Sequence, residues 1–236
     1  MIRTIFLYAL LLMSSVTFSQ NKLFEIFTDS TALRKENDLI IKDFEARVKK
    51  IDNTVSFNGL KTVVKDSLFS GYYLPRTNRI YLTRWQSTPK VIVDFCTQVM
   101  GNKKDGEKLA GMYFYGFFLP HEVGHGLQFN TKTRKDNEYD NEYEASLLAL
   151  LYWKERKKDK EMKECYKIAK QVLSKLKNPI PENEDMKQYF TVHYEEMAQD
   201  ANSYAYMLFK QIVAIFEDKN IPDFQTYIKL DLSKLK

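Results

Sequence analysis

Residues 105–129 read DGEKLAGMYFYGFFLPHEVGHGLQF, a stretch apolar almost all round that carries the pattern H-E-x-x-H at His121, Glu122 and His125. A helix with no polar face is a buried one, so this stretch predicts a central helix around which the rest of the chain is arranged. Pro120 interrupts it one residue before His121. Either the helix kinks there, or the motif helix begins there with Pro120 in its first turn. Residues i and i+4 of a helix share a face, so His121 and His125 can both turn an imidazole nitrogen toward one tetrahedral zinc ion. Glu122 lies one step round, facing the open coordination position, where it can act as general base toward a water attacking a carbonyl. Gly124 and Gly126 are poor helix formers, and they make sense in such a helix where something packs tightly against its backbone.

Outward from this helix the pattern is mixed. Leu33, Ile40, Ile41, Phe44, Val48 and Ile51 recur at helical spacing and predict an amphipathic helix over 31–51. Between 53 and 85, β-branched and aromatic residues with partial alternation predict a small antiparallel sheet, broken at Asn58-Gly59 and at Pro75 to Asn78. Thr88-Pro89 reads as an N-cap with a first-turn proline, and Gly101 closes the helix that follows. Helices are expected near 140–156 and 159–176, and a last helical region over 185–217. The expected fold is α+β, mainly α, with the sheet beside the buried motif helix and a helical C-terminal half.

Of the 236 residues, 44% are hydrophobic and 14% aromatic, enough for one sizeable core, and one domain over 20–236 is the expectation. The first residues, MIRTIFLYALLLMSSVTFSQ, run from a basic Arg3 through an apolar block into small polar residues. That order is a secretory signal peptide over 1–19, implying export to the periplasm or beyond; no later segment is apolar enough for stable membrane insertion. Loss of Arg3 lowers the formal charge only from +5 to +4, which gives no reason to expect a nucleic-acid partner. The lysines of 154–178 are interleaved with acidic residues, which fits a solvated helix face. Cys96 and Cys165 could pair in an exported protein, or stand as two buried thiols; Cys165 lies on an apolar stripe.

A catalytic zinc site needs a third protein ligand. His193 is the one histidine outside the motif, so carboxylates are the main candidates, and residues 140–153, DNEYEASLLALLYW, offer Glu142 and Glu144. With Glu142 as ligand, Ala145 and Ala149 share its face and let the two helices approach closely. With Glu144, the same face carries Leu148 and Leu151, better suited to core. Glu142 is preferred.

HEVGH, the seventeen-residue step from His125 to Glu142, and N-E-Y-E-A-S followed by Ala149 together resemble the gluzincin branch of the zincin metallopeptidases, over roughly residues 70–153. Thermolysin-like members carry N-E-x-x-x-D, while the HtpX-type and CAAX-processing peptidases carry a close variant. The resemblance implies zinc held by His121, His125 and Glu142, Glu122 as general base, and a peptide or protein as substrate. Ser146 stands where those families have an Asp that orients a zinc-ligating histidine, a task a hydroxyl performs more weakly. The segment SGYYLPRTNRIYL, residues 70–82, resembles the strand that lies along the cleft in such enzymes and could bind an extended peptide by strand addition. His193 is the candidate for an outer donor to the developing oxyanion, with Tyr194, Tyr204 and Tyr206 as rivals whose ordinary role would be core packing. The competing expectation is a zincin-shaped protein that holds zinc structurally, or binds a cell-envelope partner, without turnover.

Overall fold

The computed structural model describes residues 23–66 and 70–233. Residues 1–19, which the sequence reading takes as a signal peptide, lie outside them. Helix α1, Ser30–Ile51, begins where the Asp29 carboxylate accepts the N–H of Ala32, and it buries Leu33, Ile40, Ile41, Phe44 and Val48, the stripe its spacing predicts. Three short strands follow: β1 Lys61–Val64, β2 Gly71–Leu74 and β3 Arg79–Leu82. β2 and β3 form an antiparallel hairpin around a turn whose Asn78 sits in the left-handed region at φ 50°. β1 lies on the other side of β3 and runs parallel to it, in the order β1-β3-β2. The sheet is thus mixed, where an antiparallel one was expected. Alternation of side chains fixes which face a strand buries but carries no information on direction. Here the tie is tertiary: Asn37 and Asp38 on α1 hydrogen-bond the side chain and the backbone N–H of Thr62.

Helix α2, Lys90–Met100, ends at Gly101 with φ 89°, as the sequence predicts for a glycine C-cap. Its start differs from expectation: the Thr88 hydroxyl donates back to the carbonyl of Arg84 and leaves α2 without a side-chain cap. Helix α3, Lys103–Met112, passes through a π-helical turn, Tyr113–Phe117, into the motif helix α4, Phe118–Thr131. Pro120 falls in the first turn of α4. A proline ring clashes with the carbonyl four residues back and offers it no N–H. That carbonyl belongs to Gly116, inside the widened π-turn, and the indole N–H of Trp153 serves it at 3.2 Å. Trp153 is fully buried and packs on Phe24, so one aromatic side chain both fills the core and completes the interrupted helix ladder.

Helix α5, Glu138–Glu155, packs along α4 more extensively than any other pair of elements. The small residues anticipated at this seam explain the approach: a Cβ added to Gly124 would stand 3.2 Å from the Ala145 Cα. Gly126 is pressed likewise by Leu60. Helices α6 Asp159–Leu173, α7 Met186–Met197, α8 Ala201–Glu217 and α9 Phe224–Ser233 complete the mainly helical fold. The helical region expected over 185–217 is two helices, since Asp200 caps a new start by accepting the N–H of Ser203. Helix α9 was not anticipated; its Phe224 meets Phe44 of α1 edge-on at 5.2 Å. Cys96 and Cys165 are both free and buried, and burial pushes their thiols up in pKa, Cys96 to about 12. No helix among the described residues is long and apolar enough to cross a membrane.

Candidate metal centre

His121 and Glu142 are buried and His125 nearly so, and their ligating atoms converge. His121 Nε2 stands 3.1 Å from His125 Nε2 and 3.3 Å from Glu142 Oε2, while His125 Nε2 lies 3.6 Å from Glu142 Oε1. These separations bracket the ~3.3 Å edge of a tetrahedron whose corners lie ~2.05 Å from its centre, the usual reach of imidazole to a zinc-sized ion. Glu142 Oε2 is buried and accepts no hydrogen bond. Such an orphaned carboxylate oxygen is costly unless a cation completes it. The group could therefore hold a cation, for which two imidazoles with one carboxylate form a suitable donor set.

A side chain stands behind each imidazole ring. His121 Nδ1 meets the Ser146 hydroxyl at 3.1 Å. His125 Nδ1 meets Gln128 Oε1 at 3.0 Å, and Gln128 Nε2 donates to the carbonyl of Asn141 at 3.0 Å. Because that carbonyl demands a donor, the Gln128 oxygen must face His125, so Nδ1 carries the hydrogen and Nε2 is left to bind toward Glu142. Asn141 itself clasps the turn between the helices through both backbone groups of Lys135. Glu144, the rival ligand, points away and pairs with Lys135 at 3.1 Å, next to Asp231 at 3.6 Å.

Burial penalises the charge of Glu142, His125 and Glu122, and the outcome differs at each. Burial would raise the Glu142 carboxyl, but His125 and His121 outweigh it and hold this group well below the usual carboxylate range. Burial would lower His125, yet Glu142 and Glu122 prevail and raise it to about 9. A metal at this site must displace that proton. Glu122 is raised chiefly by burial, opposed by the two histidines, and its carboxylate accepts the backbone N–H of Tyr73 on β2. A carboxylate with a raised pKa beside an open position has the properties of a general base.

The sequence-predicted residues His121, Glu122, His125, Glu142 and Ser146 are thus brought together. His193 is not. It is half-buried, stacks on Tyr189 at 4.4 Å and faces Glu196 at 3.3 Å. The kink in α7 at His193, where φ and ψ leave the helical region, turns the next residue inward instead. Tyr194 donates its hydroxyl to Glu142 Oε1 at 3.3 Å and is hydrogen-bonded to Tyr204. Burial raises both phenols, which keeps them protonated as donors. Tyr206 stays in the small aromatic cluster around Phe190 and Met207. Gln128 was missed from sequence, although its place three residues after His125 on the same helix face is the signal that finds it.

Comparison with known proteins gives no match among family models, curated proteins or solved structures.

Proposed function

We propose that the chain is a zinc-dependent metallopeptidase, with His121, His125 and Glu142 as ligands and Glu122 as general base. One observation carries this reading: a buried two-imidazole, one-carboxylate cluster with an orphaned oxygen stands beside a second buried carboxylate of raised pKa. Zinc is the ion that this donor set and spacing suit best, and when bound it supplies a Lewis acid able to polarise a peptide carbonyl and acidify water. Glu122 takes the proton of the attacking water on its carboxylate and returns it to the leaving amine nitrogen. Tyr204, whose hydroxyl is held neutral by burial, is the donor placed to turn from Tyr194 toward the developing oxyanion. The resemblance of HEVGH and NEYEAS to gluzincins and the leader-like first nineteen residues support an exported enzyme.

The β2 edge suits an extended substrate. Thr83 N–H donates to the Ser70 carbonyl, so in the antiparallel ladder pairs 72/81 and 74/79 are hydrogen-bonded, and Gly71 and Tyr73 turn their backbone groups away from β3. Gly71 and Tyr73 border the same cleft as His121, Glu122 and His125, which sets this edge beside the candidate site. A peptide laid along it would gain main-chain hydrogen bonds beside the site.

A second reading, metal binding without turnover, is favoured by Ser146, whose single hydroxyl backs His121 where gluzincins have a carboxylate. The two readings separate in a peptide-library digest read by mass spectrometry. Glu122→Gln should lose cleavage by about 10²–10⁴-fold while keeping its zinc, and chelation should abolish it in the parent protein. Zinc-loaded parent protein and Glu122→Gln giving the same digest would leave only the non-catalytic reading.

A further inference from the structure

Glu144 lies two residues beyond Glu142, and so on the far side of α5 from that ligand. There it belongs to a cluster of charges that reaches the last helix: Lys135 Nζ stands 3.1 Å from Glu144 and 3.6 Å from Asp231 of α9. The cluster is largely withdrawn from solvent, Asp231 most of all, with a side chain 4% exposed. Burial would discharge the Lys135 ammonium, but Glu144 and Asp231 outweigh it and keep the cation. One ammonium therefore ties α9 to α5.

The backbone of the same lysine carries the connection onward. Lys135 lies in the turn between α4 and α5, the two helices that bear the candidate ligands. Its N–H donates to Asn141 Oδ1 at 2.8 Å, and its carbonyl accepts from Asn141 Nδ2 at 3.2 Å. The Asn141 carbonyl accepts from Gln128 Nε2, and Gln128 Oε1 meets His125 Nδ1. Contacts thus run unbroken from Asp231 through Lys135, Asn141 and Gln128 to His125. The docking of α9 does not by itself explain Asp231. Phe224, Ile228 and Leu232 recur every four residues and bury the helix, with Phe224 against Phe44. A buried ion pair adds little that apolar side chains of the same size would not supply, so what it holds in place explains it better than stability does.

Resting on the metal-centre reading, we propose that Asp231 and Glu144 are positioning residues for the zinc site: they hold Lys135, and the Lys135–Asn141 clasp sets Gln128 behind His125. Helix α9 is then a buckle on the turn that joins the two ligand-bearing helices. The same lysine keeps Glu144 occupied away from the metal.

Zinc affinity of the full-length protein, measured by competition with a chromophoric chelator, tests this. Asp231→Asn and Glu144→Gln keep the size of each side chain and remove its charge, and each should weaken zinc binding about 2–30-fold. In a Gln128→Ala background Asp231→Asn should cause no further loss, because the relay through which it acts is gone. Phe224→Leu loosens the packing of α9 on Phe44 without touching the charges, so it should lower the unfolding temperature and leave zinc affinity within about twofold. The visible absorption of the cobalt(II)-loaded protein, which reports ligand geometry, should shift in Asp231→Asn and not in Phe224→Leu. Three results overturn the proposal and leave the metal centre standing: unchanged affinity in both charge variants, an Asp231→Asn loss of the same size with and without Gln128, or a Phe224→Leu loss equal to that of Asp231→Asn. A parent protein that takes up no zinc overturns the metal centre and this proposal with it.

Discussion

His121 and His125 stand one turn apart on α4, yet they are held from behind in different ways. His125 leans on Gln128 of its own helix, which is anchored in turn to the Asn141 carbonyl of α5, so its ring orientation is set by a two-step amide relay. His121 leans on one hydroxyl, that of Ser146, across the α4–α5 seam. An amide fixed at both ends can present only its oxygen, whereas a hydroxyl rotates and can donate or accept. The candidate site is therefore stiff at His125, whereas at His121 it depends on the packing of two helices.

The largest effects come from the ligands themselves. His121→Ala and His125→Ala should each lower zinc affinity by more than the roughly 100-fold that removal of a supporting residue causes, measured by competition with a chromophoric chelator. Acidification comes next. The His125 imidazole is raised to about 9 in the metal-free site, so below that pH a proton competes with the metal. Affinity should fall about tenfold per pH unit between pH 8 and pH 6, one proton for one ion. A flat profile would show that His125 enters the site already deprotonated.

The comparison of the two rings is then tested directly. Gln128→Ala should cost about 10–100-fold in zinc affinity, and Ser146→Ala less than about tenfold. Ser146→Asp should strengthen the site, because a carboxylate fixes the His121 tautomer that a hydroxyl leaves open. If Ser146→Ala costs more than Gln128→Ala, the stiff and loose halves have been assigned the wrong way round. The smallest effect is on the seam. Gly124→Ala places a methyl 3.2 Å from the Ala145 Cα and 3.3 Å from Leu148 Cδ1, which should cost about 1–3 kcal/mol of overpacking in thermal unfolding.

The same contrast explains what the sequence could disclose. The α4 half was legible because its chemistry is local: two histidines at i and i+4 declare a shared face, and an all-round apolar pattern declares burial. Glu142 was legible through spacing and the small residues Ala145 and Ala149, which favoured it over Glu144; what no periodicity reveals is the pairing of Glu144 with Lys135 that takes it elsewhere. His193 failed as an outer donor because a single kinked residue in α7 shifts the helix phase, and Tyr194 takes the inward place. The parallel pairing of β1 and the docking of α9 on α1 rest on contacts distant in sequence, through Thr62 to Asn37 and Phe224 to Phe44. The mainly helical architecture followed from patterns of seven residues or fewer; strand direction and the last helix did not.

If α4 and α5 together make one metal site, elemental analysis of the purified full-length protein, side by side with Glu142→Ala, should find about one zinc per chain in the parent and a near-empty variant that remains folded. A parent protein without stoichiometric metal, or a Glu142→Ala variant that keeps its zinc, would contradict it.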